Sequence, residues 1–183
     1  MRKQRTNLPP GFKKIGPTTW MEIWRRWQRV EGRLTKWRPH FRREGFRTWA
    51  EWREAVVVAP FDLTRRQWSV YRVTDAQVIP TWSGGPFPRW IAGPYRGAQT
   101  RTFRWLASTG RTNEDVRTRT IQKLPTTMFM FGLRYRGKIV ILDGMHRCAE
   151  ITRRVQRGEP VPVTITLAVA NVKKLPKVKP WLR

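Results

Sequence analysis

The feature that most constrains this chain is a change of hydrophobic period at Asp143-Gly144. Upstream, Lys138–Leu142 (KIVIL) is a short apolar, β-branched run of the kind that forms a buried strand. Downstream, Cys148, Ile151, Thr152 and Val155 recur at helical spacing until Gly158, so a helix is expected from Met145 to about Arg157. A second β-rich run, TMFMFGLRY, precedes the first, and Arg136-Gly137 between them predicts a hairpin. PVPVTITLAV beyond the helix supplies a further strand.

A strand that feeds straight into a helix leaves the first N–H groups of that helix facing outward. Together with the helix dipole they favour an anion. Gly144 allows the tight turn and keeps a side chain out of the approach, while Arg147 can fork two hydrogen bonds onto phosphate oxygens. His146 can donate to the same anion or move a proton near neutral pH. Asp143 can orient either residue or hold a hydroxyl. Gly144, Met145, His146 and Arg147 are therefore the expected phosphate-binding residues, and His146 and Asp143 the expected catalytic ones. The competing reading makes Asp143 a helix cap and leaves His146 and Arg147 solvated.

The charge narrows the partners. The 183 residues carry 38 Lys and Arg against 12 Asp and Glu, a net +26. A field of that sign attracts polyanions, so DNA or RNA is the expected partner. An Arg-favouring codon bias would raise the Arg count without explaining the shortage of carboxylates. The cations expected to touch nucleic acid are Arg25, Arg26, Arg29, Arg42, Arg43, Lys173 and Lys174.

The N-terminal third is organised differently. Residues 1–17 read as a basic extended segment broken by Pro9, Pro10, Gly11 and Pro17. Residues 18–58 read as a Trp- and Arg-rich helical extension. Thr19 with Glu22, and Thr48 with Glu51, form two capping boxes. After the first box, Trp20, Ile23, Trp24, Trp27 and Val30 share one face, with Arg25, Arg26 and Arg29 opposite. Such a stripe packs on a neighbouring surface, or else stacks its indoles on unpaired bases; the regular spacing favours packing. The intervening KWRPHFRREGF reads as irregular.

From Trp68 the reading changes again. WSVYRV alternates as a strand does, and VIPTWSGGPFPRW is turn-rich. The latter could wall a pocket, with Trp82 or Phe87 against a base and Arg89 on a phosphate, or be a plain structured loop. GAQTRTFRWLASTG suggests a helix ending at Gly110. Asn113 caps another over 113–124, whose Glu114 and Asp115 suit the positive end of its dipole. The last residues, 171–183, read as a basic tail.

Several chemistries are disfavoured. The lone Cys148 rules out a disulfide framework and fits a reducing compartment. His40, His146 and Cys148 are too few soft ligands for structural zinc, so no metal site is expected. No P-loop or G-x-S-x-G elbow is present, and the scattered acids do not suit a two-metal nuclease. The basic start has no apolar core of a secretory signal, and no run approaches the ~18 apolar residues of a membrane span. A cytoplasmic protein with no membrane partner is expected.

The order of strand, turn, helix, hairpin, D-G-M-H-R, helix and V-P-V strand resembles the ParB/sulfiredoxin family, the ParB N-terminal-like nuclease and nucleotide-binding domains. The likeness covers about residues 68–170 and is most specific over Lys138–Val163. It implies an α+β fold, a small mixed sheet with helices over 59–170, preceded by the Trp-rich extension. It implies phosphate contacts from Gly144, His146 and Arg147, with Asp143 as a magnesium or hydroxyl partner. The implied ligand is a nucleoside triphosphate, ATP or CTP, with Mg2+.

The family pattern is not followed throughout. Sulfiredoxins have Cys where Met145 stands, and the helix-turn-helix domain that follows in partitioning proteins has no counterpart in the basic tail. Kinases of this fold draw an acidic base from earlier in the domain, for which Glu114 or Asp115 is available. The expected function is thus a nucleic-acid-associated protein with a nucleoside-phosphate pocket. The alternatives are a phosphotransferase or nucleotide hydrolase of this fold, and a non-catalytic ribonucleoprotein component. Affinity for duplex nucleic acid, followed by fluorescence anisotropy across a salt series, is expected to fall with a log–log slope of about −0.9 per phosphate contacted. A flat response would remove the polyanion from consideration.

Overall fold

A computed structural model of the chain describes residues 8, 10–111 and 124–178. A six-stranded mixed sheet runs through it in the order β1-β2-β6-β4-β5-β3. The strands are β1 (Phe12–Thr18), β2 (Trp68–Val73), β3 (Ser83–Gly84), β4 (Thr127–Tyr135), β5 (Lys138–Asp143) and β6 (Thr164–Val172). β4 is parallel to β6 and antiparallel to β5, and β3 adds a short parallel edge to β5. The expected mixed α+β class is present.

The hairpin falls where the sequence puts it. Arg136 and Gly137 both have positive φ, +49° and +80°, as a two-residue turn of matching twist requires. β1 occupies part of the stretch read as basic and extended, and it pairs antiparallel with β2 at the sheet edge. The helix expected over 113–124, with Asn113, Glu114 and Asp115, lies outside the described residues, except Leu124.

Helices cover both faces. On one, α7 (Met145–Gln156), α6 (Phe103–Ser108), α5 (Pro88–Ala92) and a 3-10 segment (Ala76–Thr81) pack on Met128, Met130, Ile139, Ile141, Ile165 and Leu167. On the other, α1 (Trp20–Trp27), α2 (Arg38–Arg43), α3 (Trp49–Arg53) and α4 (Ala59–Phe61) cover Trp68, Phe131, Leu133, Leu142, Ala168 and Ala170. Successive residues of β4 and β6 alternate between the two cores, as strand geometry demands.

The Trp stripe is core. Trp20 and Trp27 place their rings 5.6 and 4.8 Å from Phe131, edge to face, and Trp20 lies 5.7 Å from Trp68. Both capping boxes form: the Glu22 N–H donates to Thr19 Oγ1 and the Thr19 N–H to Glu22, and Thr48 and Glu51 repeat the exchange. Val30 departs from the stripe. The helix widens into a π turn over Gln28–Gly32, which rotates Val30 outward to 60% exposure. KWRPHFRREGF is not irregular: a 3-10 turn (Thr35–Trp37) leads into α2, with Pro39 in the first turn where its missing N–H costs nothing.

Two other expectations are corrected. VIPTWSGGPFPRW is more regular than its Gly and Pro content suggests, holding the end of the 3-10 segment, β3 and the start of α5. Within it Trp82 is only 2% exposed and stacks on Phe12 at 5.8 Å, so it has no face to offer a base. Among the described residues no helix is long and apolar enough to cross a membrane.

Trp27→Ala is expected to cost about 3–5 kcal/mol in urea unfolding, as removal of a fully packed aromatic does. Met21→Ala, exposed on the same helix, is expected to stay within ~0.5 kcal/mol. Equal effects would mean that α1 does not carry the second face of the sheet.

Candidate functional site

The junction singled out in the sequence forms the floor of a cleft. β5 ends at Asp143, and the β4–β5 register slips between Phe131 and Gly132, leaving Leu142 without a residue opposite it. Gly144 turns at φ +100° and α7 begins at Met145. A Cβ at Gly144 would lie 2.5 Å from Met130 Sδ, so conformation and space both demand glycine there. No side chain caps the start of α7, and its first turn opens toward the cleft, whose volume is about 600 Å³.

Three parts of the chain build the walls. The N-terminal helices contribute Glu31, Lys36, Trp37, His40, Arg43, Glu44, Trp52 and Arg53, with Val30, Leu34 and Val56 at the apolar places. GGPFPRW contributes Phe87, Pro88, Arg89 and Trp90 on the opposite side. Gly85 pins that segment by donating to Ile141 O at 2.8 Å, on a backbone approach so close that a Cβ would lie 2.9 Å from the same oxygen. Trp90 then lies 5.4 Å from the His146 ring.

Four charged side chains meet at the floor. Arg147 donates to Asp143 at 2.7 Å and to Phe129 O at 3.3 Å. Arg53 donates to Glu31 at 2.9 Å, with the two side chains 14% and 15% exposed. Burial, then the Asp143 carboxylate, push the Glu31 pKa up to about 7, while Arg53 and Arg147 pull the other way. Burial works against the Arg147 charge, but Asp143 and Glu31 more than offset it and its pKa stands above the ordinary value. Two carboxyl groups and two guanidiniums make a compact set, balanced in charge when Glu31 is ionised and carrying one net positive charge when Glu31 holds its proton.

The expected site residues separate into groups. Asp143, Gly144, His146 and Arg147 line the cleft, as do Phe87 and Arg89. Met145 touches it too, but its side chain is buried in the core, so it can offer a phosphate only its backbone N–H. Cys148 is fully buried against Met130, and burial pushes its thiol pKa far up, so it is a core residue. Arg43 stands at the cleft, while Arg25, Arg29 and Arg42 are exposed on the outer side of the same helices. Arg26 lies over the Phe129 ring at 4.3 Å. Lys173 is exposed, and Lys174 borders a separate hollow with Arg66 and Lys177.

Glu31 and Arg53 are the residues that sequence reading missed. Nothing in the local pattern ties them, since they are 22 positions apart and meet only when α3 folds back on the π turn. A weak signal exists: Glu31 lies between Trp27 and Trp37 and Arg53 directly follows Trp52, in a Trp-rich stretch where an unpaired charge would be costly. Among the described residues no three His, Cys, Asp or Glu side chains gather as a metal site would need.

No protein-family model, curated protein or solved structure matches the chain. The likeness to ParB/sulfiredoxin domains therefore stays an expectation resting on the pattern over Lys138–Val163.

The raised Glu31 pKa has a readable consequence. Below about pH 4.5 folded and unfolded chains both hold the proton; between 4.5 and 7 only the unfolded chain releases it, so stability falls as pH rises. Glu31→Gln removes that slope. Unfolding free energies at pH 5 and pH 8 are expected to move in the variant's favour at the higher pH, by at most ~3 kcal/mol. A wild-type-minus-variant difference that ignores pH would place Glu31 in water.

Proposed function

We propose that the protein binds a nucleoside phosphate in this cleft and nucleic acid over its basic outer surface. One observation carries the reading: the uncapped start of α7, with His146 and Arg147 in its first turn, faces a cleft walled by Trp37, Trp52, Phe87 and Trp90. Helix N–H groups and guanidinium suit phosphate, and the half-buried Phe87 ring suits a base. The volume is that of a single small-molecule ligand.

ATP or CTP with Mg2+ is the ligand that the ParB/sulfiredoxin likeness suggests. Asp143 is already engaged by Arg147, so a magnesium ion would be held chiefly by the phosphates themselves. When bound, it would neutralise part of their charge. Met145 N–H and His146 would contact the phosphate, with Arg147 joining once it turns from Asp143.

A second reading, nucleotide hydrolysis or phosphoryl transfer, gains support from Glu31. An acid whose pKa lies near 7 is suited to take and return a proton at physiological pH. In that reading Glu31 fills the place of the early acid, and Asp143 positions Arg147 rather than moving protons.

The test is thermal unfolding with ATP, CTP, GTP and ADP in magnesium. A ligand at ~100 times its Kd adds about 2.7 kcal/mol. His146→Ala is expected to weaken binding about tenfold, the loss of one charge-assisted contact, as read against the variant's own ligand-free unfolding. Turnover of labelled nucleotide that vanishes in Glu31→Gln while binding persists would select the enzymatic reading. Binding of nucleic acid with no shift for any nucleotide would leave a structural ribonucleoprotein component.

A further inference from the structure

The mouth of the cleft carries charge that its floor does not use. At the floor Arg147 is matched by Asp143 and Arg53 by Glu31. At the mouth Lys36 and Arg43 stand exposed on one wall and Arg89 on the other. The acid on that rim, Glu44, accepts from Trp52 Nε1 at 2.8 Å. Beyond Lys36 and Arg43 the outer side of the same helices continues with Arg33, Arg38 and Arg42, all exposed.

A free mononucleotide seated on α7 would place its charge at the floor. Solvated cations farther out would be screened from it by salt within ~10 Å. Apolar surface is exposed between those cations as well: Val30 is 60% and Leu34 40% exposed, both bordering the cleft. A cationic track holds the successive phosphates of an unpaired strand, and Val30 and Leu34 leave apolar surface beside it. The cleft volume is that of one small ligand, too small to admit a duplex.

We propose that the cleft receives the phosphate-bearing end of a single nucleic-acid strand, whose following nucleotides leave between Lys36, Arg43 and Arg89 onto the outer face of the N-terminal helices. The proposal rests on the reading that the cleft holds a nucleoside phosphate, and it makes pocket and basic surface one continuous site. The terminal group is a phosphomonoester, which either end of a strand can supply.

The experiment compares thymidine monophosphate, a short oligothymidylate phosphorylated at its 5′ end, the same oligomer phosphorylated at its 3′ end, and that oligomer ligated into a circle. Affinities are measured by competition in fluorescence anisotropy. At least one linear phosphorylated oligomer is expected to bind about tenfold or more tighter than both: than the mononucleotide through the cations along the exit, and than the circle through its terminal phosphomonoester. The tighter of the two linear forms names the end. Lys36→Glu with Arg89→Glu, on opposite walls, is expected to abolish most of that advantage.

A mononucleotide that binds as well as the oligomers overturns the proposal and leaves the nucleotide pocket standing. A circle that binds as well as the linear forms also overturns it, since an internal nucleotide then suffices. An advantage that survives the double charge reversal overturns the exit route. Failure of every ligand removes the nucleotide reading itself.

Discussion

Arg53 holds the candidate site together. Its guanidinium lies 4.1 Å from the Trp52 ring and 4.8 and 5.1 Å from Trp37 and Trp27, and it ends on Glu31. Burying a charge among indoles is costly unless it is paired, and here ring faces and carboxylate both pair it. The contact joins the π turn after α1 to α3 and to the 3-10 turn between them. With the Trp52 Nε1–Glu44 bond and the Trp37–Trp52 ring contact, it ties the wall carrying Lys36, His40 and Arg43 to α3. The floor of the cleft is made by β5 and α7, but its depth is made by this cation.

The same arrangement explains how so basic a chain can fold. Indoles of α1 face the sheet, so Arg25 and Arg26 between them are turned to the solvent side, and of these two helices only Arg53 in α3 carries its charge inward, where it is paired. Positive charge is thereby spread over an outer layer instead of being concentrated in the core. That layer still repels itself, and a polyanion laid over it would relieve the repulsion. Packing and surface charge are thus linked by helical periodicity: the spacing that makes one face hydrophobic leaves the other cationic.

Much of this was legible in the sequence because it is local. Thr19 and Glu22, Arg136-Gly137, and the passage from KIVIL to a helix at Met145 each act within a few residues, and each forms as read. The second face of the sheet was harder to see. The Trp stripe announces a buried surface but not which surface, and its partners Phe131 and Ala168 lie more than a hundred positions away. Val30 and Trp82 were misread for related reasons. A π turn alters the helical phase after Trp27, and Phe12, from the edge strand, covers an indole that its Gly- and Pro-rich surroundings suggested was open. Glu31 was invisible because its meaning depends on Arg53 and Asp143 together.

The floor would also make the proposed site an exchanger instead of a fixed hole. Arg147 cannot grip an incoming phosphate with the donor it gives Asp143 unless that ion pair opens. Opening it alone would leave Asp143 buried and facing Glu31, two carboxylates without their full complement of positive charge. A ligand phosphate at α7 raises the negative charge further, and the group best placed to absorb the excess is Glu31, which takes a proton near neutrality. In the proposed site, anion binding, release of Asp143 and protonation of Glu31 would belong to one event. The carboxylates beside Arg147 do not argue against the proposed phosphate site; they would set the proton count at which it fills.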